Sequence, residues 1–136
     1  MRDFRKLVIW QKAHALVLEI YKATGGFPGE ERYGLTNQIR RASVSIPSNI
    51  AEGSGHGSEL EFARYLQLAA ASASEVQYQI ILARDLGYLA GESYAELAAD
   101  VEEVKKMLSA LLKRVRASTA NSRQRTANSE QQTANS

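Results

Sequence analysis

Apolar residues recur every three or four positions in four successive segments of the chain, and glycine-containing breaks separate the segments. This spacing places the apolar side chains on one face of an α-helix. Because an amphipathic helix must bury that face against another element, four such segments predict an all-α fold. The connections are short, so successive helices should run antiparallel. The sequence therefore predicts an up-down four-helix bundle over residues 1–116.

The first predicted helix runs from Phe4 to Thr24, with Asp3 as its N-cap and the glycine- and proline-rich segment 25–29 as its end. Its predicted apolar stripe consists of Leu7, Trp10, His14, Val17 and Tyr21. A histidine inside such a stripe is more often a core or interface residue than a catalytic one, so we expect a structural role for His14.

The second predicted helix runs from Glu30 to about Ser54 and contains Pro47. Its apolar stripe consists of Leu35, Ile39, Ala42, Ile46 and Ile50. Proline lacks the N–H that a helix interior uses, so the helix could end near Ile46 and restart, or continue through a kink. Since the apolar phase is kept across Pro47, we expect a continuous, kinked helix, with Ser43 and Ser45 bonding near the freed carbonyl.

The third predicted helix begins after a glycine-rich loop at 53–57, with a capping box at Ser58–Glu61, and ends at Gly87. Its stripe consists of Phe62, Leu66, Ala69, Ala73, Val76, Ile80 and Ala83. Small residues at 69–74 permit close helix approach. They predict a second packed face, against another subunit.

A second capping box at Ser93–Glu96 predicts the start of the fourth helix. Its stripe consists of Leu97, Val101, Val104, Leu108, Leu111 and Val115. From residue 117 to 136 the chain is polar, and the tetrapeptide Thr-Ala-Asn-Ser recurs at 119, 126 and 133. Because this segment has no apolar stripe to bury, the sequence predicts a disordered C-terminal tail.

Composition excludes several classes of function. There is no cysteine and there are only two histidines, so thiolate metal sites, disulfides and thiol nucleophiles are absent and no metal or other cofactor is expected. No apolar run is long enough to span a membrane, and the first residues lack the apolar core of a secretory signal. We therefore expect a cytoplasmic protein with no membrane partner and no small-molecule substrate.

Polar residues lie on or beside the stripes of the second and third helices. We assign six residues at these positions to a structural motif: Arg41, Ser45, Pro47, Asn49, Glu52 and Glu75. An unpaired buried charge costs several kcal/mol. We therefore expect Glu75 or Glu52 to pair with Arg40 or Arg41, inside the bundle or across a subunit boundary. A carboxylate acid–base pair is the catalytic alternative, but no nucleophile or cofactor motif accompanies it.

The net charge is only +2, so the distribution of basic residues matters more than their number. Basic residues gather toward the C-terminus, where they complement a helix dipole or bind phosphate. Candidate contacts to nucleic acid are Lys12, Arg40, Lys105, Lys106, Lys113 and Arg114. Any of these that has a carboxylate partner is to be removed from the set.

Several ordered motifs between residues 4 and 116 resemble one family. They are Val8–Ala13, Phe27–Pro28, Glu31–Leu35, Gln38–Ala42 and Ser45–Gly53. Together they resemble the four-helix-bundle proteins encoded in intervening sequences of bacterial 23S ribosomal RNA genes. The resemblance implies a ring-shaped homopentamer without catalytic residues. That family is in turn similar to the accessory variability proteins of diversity-generating retroelements, which implies binding to RNA or DNA.

Three functions follow as hypotheses. The first is a non-enzymatic homopentamer that presents basic rows to RNA or a ribonucleoprotein. The second is a protein–protein scaffold without a nucleic-acid role. The third is a small hydrolase or nuclease that uses Glu52, Glu75 and His56, and the missing nucleophile and metal ligands argue against it.

Overall fold

The computed structural model describes residues 2–134. This range contains no strand, and its α-helices are α1 (Val8–Thr24), α2 (Leu35–Gly55), α3 (Glu59–Asp85) and α4 (Gly91–Ala134), with 3-10 turns at Phe4–Lys6 and Gly29–Glu31. Helices α1 and α3 each pack against α2 and α4. The chain is therefore all-α, as predicted, with its four helices arranged around one core.

The core of α2, α3 and α4 lies where the sequence predicts it. All five stripe residues of α2 and all seven of α3 are buried. In α4 the predicted residues are buried except Leu111, which is partly buried against the core. Each large apolar side chain that is fully buried contributes roughly 1.5–3 kcal/mol to folding, so these positions account for most of the stability.

The predicted stripe of α1 is confirmed only in part, because Leu7 and Trp10 are partly buried against the core. Of the five, only Val17 is buried, and His14 and Tyr21 are exposed. The buried residues of α1 are instead Ile9, Ala13, Leu16, Val17, Ile20 and Thr24. Both sets follow a spacing of three and four, and the aromatic set forms a second stripe beside the core-facing one. His14 and Tyr21 are therefore surface side chains, whereas Trp10 packs partly against the core.

The helix ends follow local hydrogen bonding. The Ser58 hydroxyl accepts the Glu61 N–H and caps α3, as predicted. Asp3 caps the 3-10 turn instead of α1. Because α4 already begins at Gly91, Ser93 lies inside the helix and is not its N-cap. At the end of α3, Gly87 has φ +82° and the Tyr88 N–H donates to Ala83 O, which is a Schellman ending.

Helix α2 is continuous through Pro47 and extends to Gly55. Gly53 and Ser54 are therefore helical, not part of the predicted loop, and both are buried. The Ser54 hydroxyl donates to Ile50 O at 2.8 Å, and the Arg2 N–H donates to Ser54 O at 3.1 Å. The loop between α2 and α3 therefore consists of three residues, 56–58, and begins later than predicted.

The C-terminal segment differs from the disordered tail that the sequence predicts. Residues 117–134 continue α4, while residues 135 and 136 lie outside the described range. This segment contains neither glycine nor proline, and each threonine of its repeat donates its hydroxyl to the carbonyl four residues earlier. A helix that is already nucleated extends at low cost, which explains the continuation.

None of the helices between residues 2 and 134 has an apolar stretch long enough to cross a bilayer.

Candidate functional site

A row of hydrogen-bonded polar side chains lies between α2 and α3. The Ser45 and Ser72 hydroxyl oxygens are 2.8 Å apart. Asn49 Nδ2 donates to Ser45 O at 2.8 Å and to Ser45 Oγ at 3.0 Å. Ser43 does not join this row, since its hydroxyl donates to Arg40 O one turn earlier. The serines and asparagine of the motif thus join two helices and brace α2 beside Pro47.

A small groove lies at one end of this row, lined by Asn37, Gln38, Arg41, Ala42, Ser45 and Glu75. Arg41 and Glu75 are both exposed, and among residues 2–134 neither forms an ion pair. Glu75 Oε1 accepts a long hydrogen bond of 3.4 Å from Gln79, whose own Oε1 is buried without a partner. The groove therefore leaves one guanidinium and one carboxylate available to a partner.

The predicted ion pair between a motif carboxylate and Arg40 or Arg41 does not form within the described chain. Arg40 Nε instead donates to Thr24 Oγ1 at 2.8 Å, and its guanidinium lies 4.6 Å from the centre of the Tyr21 ring. Glu52 is exposed. Arg40 and Arg41 do not require a carboxylate to compensate their charge, because neither guanidinium is fully buried. An ion pair across a subunit boundary stays a prediction.

The aromatic stripe of α1 and one side of α2 form an apolar groove of about 380 Å³, lined by Phe4, Trp10, His14, Val17, Val44, Pro47, Ser48 and Ala51. Trp10 stacks on His14 with ring centres 5.0 Å apart, and Phe4 meets Trp10 edge-on at 5.1 Å. Val44 is 37% exposed. Pro47 is therefore buried within α2 and also lines this apolar groove.

The six candidate nucleic-acid contacts fall into two groups. Lys12 Nζ lies 3.3 Å from Glu103 Oε1, so Lys12 leaves the set. Arg40 is held by Thr24 and Tyr21, and Lys105 Nζ donates to Gln77 Oε1 at 2.7 Å. The other three, Lys106, Lys113 and Arg114, are exposed and have no ion-pair or hydrogen-bond partner between residues 2 and 134.

Charge is strongly segregated along α4. Its first part, residues 91–103, contains five acidic residues and no basic one: Glu92, Glu96, Asp100, Glu102 and Glu103. Its second part, residues 104–129, contains seven basic residues and no acidic one: Lys105, Lys106, Lys113, Arg114, Arg116, Arg123 and Arg125. This order complements the helix dipole. It also concentrates positive charge on one stretch of a nearly neutral protein.

The acidic part of α4 is crowded against α1. Burial raises the pKa of Asp100, and the neighbouring charges of Glu103 and Glu19 raise that pKa further, while Lys12 lowers it. Glu102 accepts a hydrogen bond from Gln77 Nε2 at 3.3 Å, and Glu103 pairs with Lys12. Glu102 and Glu103 are therefore engaged within the chain, whereas Glu92 and Glu96 are exposed.

The basic part of α4 forms a groove with the start of α3 that the sequence prediction missed. The groove has a volume of about 500 Å³ and is lined by Leu60, Glu61, Ala63, Arg64, Gln67, Arg116, Thr119, Ala120 and Arg123. Its only acidic residue, Glu61, is paired with Arg64 at 3.1 Å. The basic stretch is visible in the sequence. Its alignment with α3 is not, because that depends on how the two helices pack.

The residues of the hydrolase hypothesis do not converge. His56 stacks on Tyr65 of α3 with ring centres 5.2 Å apart. Glu75 comes ten residues after Tyr65 in α3, which places it about 15 Å from Tyr65 along the helix axis. No group of three metal-ligating side chains occurs in the described part of the chain. The geometry assembles no catalytic site from Glu52, Glu75 and His56.

Comparison with known proteins places this architecture in a family. Residues 5–110 match the model of the 23S rRNA-intervening sequence protein. The chain belongs to this family. The match covers the first three helices and the first part of α4, and it ends before Arg114, Arg116 and Arg123. Membership in the 23S rRNA-intervening sequence protein family confirms the resemblance read from the motifs.

A solved structure supports the same assignment. The chain is similar to a protein of unknown function from the S23 ribosomal protein family of Bacteroides thetaiotaomicron VPI-5482, with 26% sequence identity and a TM-score of 0.73. The alignment covers 78% of this chain and 96% of that one. No curated protein matches the chain. The family is not known as an enzyme family.

Proposed function

We propose that this protein is a non-enzymatic, cytoplasmic, homo-oligomeric bundle that binds RNA along α4, with five subunits in a ring. The single observation that carries RNA binding is the charge segregation of α4. Seven basic residues follow one another over residues 104–129 without an acidic residue. Among them Lys106, Lys113 and Arg114 are exposed and have no partner within the part of the chain that the structure describes. Free Lys and Arg on one stretch of surface are what phosphate backbones bind.

The proposed bundle is antiparallel and up-down, with a kink in α2 at Pro47. Contacts between neighbouring helices support this topology. Glu103 of α4 pairs with Lys12 near the start of α1, while Ser93 and Glu96 lie beside Lys22 near its end. Ser45 meets Ser72 across α2 and α3, and Gly53 faces Tyr65, which comes earlier in α3.

Exposed apolar surface supports self-assembly. Besides the groove around Trp10 and Pro47, α3 presents Leu68 at 43% exposure and Tyr78 at 61% on its outer side. An apolar groove on one subunit and exposed apolar side chains elsewhere on the next suit a head-to-tail contact, which closes into a ring when the rotation permits. In a ring of five, modest basic patches act together and gain avidity.

A protein–protein scaffold is the second proposed function, and the groove of Arg41 and Glu75 favours it. This groove offers one unpaired charge of each sign, which suits a protein partner better than a polyanion. The proposed kinship with the accessory variability proteins of diversity-generating retroelements agrees with the RNA-binding function. It stays a prediction.

Retention of RNA on the purified protein tests the proposal. The chain is isolated at low salt, bound nucleic acid is extracted and sized, and the mass is measured by light scattering before and after a high-salt wash. We expect RNA that leaves with salt while the oligomer persists, because phosphate contacts weaken steeply with salt. A stable oligomer that never carries RNA would contradict RNA binding and favour the scaffold.

A further inference from the structure

We infer that the groove between the start of α3 and the basic part of α4, lined by Arg64, Arg116 and Arg123, binds the phosphodiester backbone of nucleic acid. This inference rests on the proposed function and gives it a site. Arg116 and Arg123 lie beyond the residues that match the family model, which end at residue 110. The site is therefore assigned from this chain's own residues.

The two arginines of α4 are placed to act together. Arg116 and Arg123 are seven positions apart, so they lie on the same face of the helix, separated by about 10.5 Å along its axis. Thr119 and Ala120 lie between them and line the same groove. Two arginines at this spacing can each engage a different phosphate of one strand. The arrangement fits a chain of phosphates.

Both arginines are free to bind. Arg116 and Arg123 are exposed, and within residues 2–134 neither has a hydrogen bond, an ion pair or a ring partner. Arg64 is held in place, since its guanidinium bonds Glu61 and lies 4.6 Å from the centre of the Tyr65 ring. Three guanidinium groups and one paired carboxylate leave the groove with a net positive charge.

The chemistry of the groove distinguishes nucleic acid from a simple anion. Guanidinium forks match phosphate oxygens in bidentate geometry. The remaining lining includes the side chains of Leu60, Ala63 and Ala120, and Leu60 is 55% exposed. The apolar side chains that line the groove beside the guanidinium groups suit the sugar and base faces that accompany a phosphate backbone. Inorganic phosphate would use the guanidinium groups alone.

A second copy of the chain is the rival occupant, because the first part of α4 is acidic. Of its five carboxylates, Glu103 pairs with Lys12, Glu102 accepts a hydrogen bond from Gln77 and Asp100 is packed near α1, whereas Glu92 and Glu96 are exposed. It therefore offers less free charge than a phosphate backbone. The observations favour nucleic acid.

The test compares two double variants of the full chain that lose the same charge with the same spacing. R116Q/R123Q removes the groove pair, whereas K106Q/K113Q removes two exposed, unpaired lysines that are also seven positions apart on α4. The probe is a fluorescein-labelled single-stranded RNA of 20 nucleotides, followed by anisotropy from low to high salt. Inorganic phosphate is the competitor, and circular dichroism checks the fold of each variant.

We expect R116Q/R123Q to reduce the salt slope of binding by about 1.4 and to weaken binding about 25-fold at 0.1 M salt, because two phosphate contacts to a single strand are lost. K106Q/K113Q should weaken binding less. R116K/R123K should keep most of the slope but recover only part of the affinity, since lysine keeps the charge and lacks the fork. Millimolar inorganic phosphate should compete weakly.

Three other outcomes would overturn the inference, and each has a different meaning. Equal losses in the two glutamine variants would show general electrostatic attraction, leaving the proposed function intact. A lower oligomer mass of R116Q/R123Q without RNA would identify the groove as a contact between copies. No binding of this RNA by the unaltered chain would remove the proposed function together with the site.

Discussion

Gly53 of α2 lies directly against Tyr65 of α3. A Cβ atom built on Gly53 would be 2.7 Å from Tyr65 Cβ and 3.1 Å from Phe62 Cδ1. Real Cβ atoms essentially never come so close, and Tyr65 Cβ is fixed by the backbone. The close approach of the two helices therefore depends on glycine at this position.

Gly53→Ala should destabilise the protein by about 1–2 kcal/mol, because the clash of an overpacked core outweighs the better helix propensity of alanine. Gly55→Ala is the matched control, since Gly55 is also helical and a Cβ there meets nothing within 4 Å. We expect that variant to be unchanged or stabilised by up to about 1 kcal/mol. Urea unfolding followed by circular dichroism measures both. Equal effects would contradict the packing argument.

The hydroxyl pair of Ser45 and Ser72 should show a coupling free energy of about 1 kcal/mol in a double-mutant cycle to alanine. Ser45→Ala should cost more than Ser72→Ala, because Ser45 Oγ also accepts from Asn49. Ser74→Ala provides the control, since Ser74 is exposed on the same helix. Additive single effects in urea unfolding would show that the two hydroxyls do not interact.

The sequence predicts α2, α3 and α4 well because each has one apolar stripe. It fails for α1, where Trp10 and Tyr21 compete with Ile9 and Ile20 at the same spacing. The aromatic set offers the larger side chains to bury. The small Ala13, fully buried, shows that close packing decides instead. Which of two stripes faces inward is set by the neighbouring helices, and a helical pattern does not contain that information.

The candidate site is less predictable than the fold for a similar reason. Lys12 and Lys106 are both basic residues on predicted helices, yet Lys12 is paired with Glu103 and Lys106 is unpaired among the described residues. The groove at Arg116 and Arg123 depends on the register of α4 against Leu60 and its neighbours. Partners distant in sequence determine which charges are free.

Asp100→Asn should raise the free energy of unfolding at pH 7. Burial and the charges of Glu103 and Glu19 raise the pKa of Asp100 in the folded state above the ordinary value of 3.8, so its charged form opposes folding at neutral pH. This penalty fades as the pH falls through the folded-state pKa, and it is absent below the unfolded-state value. The gain should be under about 1 kcal/mol, because the side chain is only partly buried.

Urea unfolding of the Asp100→Asn variant at a series of pH values checks this dependence. The difference from the unaltered chain should be largest at neutral pH and should disappear below about pH 3.8. Glu130→Gln serves as the control, since Glu130 is exposed near the end of α4. A difference that grows on acidification would have the wrong sign for a raised pKa.

Pro47→Ala should keep the bundle folded but change both its melting temperature and its assembly. Alanine supplies the N–H that proline lacks, so the Ser43 carbonyl gains a helical donor, and we expect the proposed kink in α2 to relax. Pro47 is also buried in the wall of the groove that contains Trp10 and Val44. Relaxing the proposed kink would move this wall, and we expect the proposed oligomer to weaken even though the helix itself gains a hydrogen bond.

Circular dichroism, thermal melting and light scattering test this prediction, and emission of Trp10, the only tryptophan, reports on the groove. Pro28→Ala is the control, because Pro28, the other proline, precedes a 3-10 turn and lies outside that groove. A variant with unchanged mass and unchanged melting temperature would show that Pro47 shapes neither α2 nor the subunit contact. A lower mass with a retained helical spectrum would instead place the self-assembly surface beside α1 and α2, apart from the basic groove of α4.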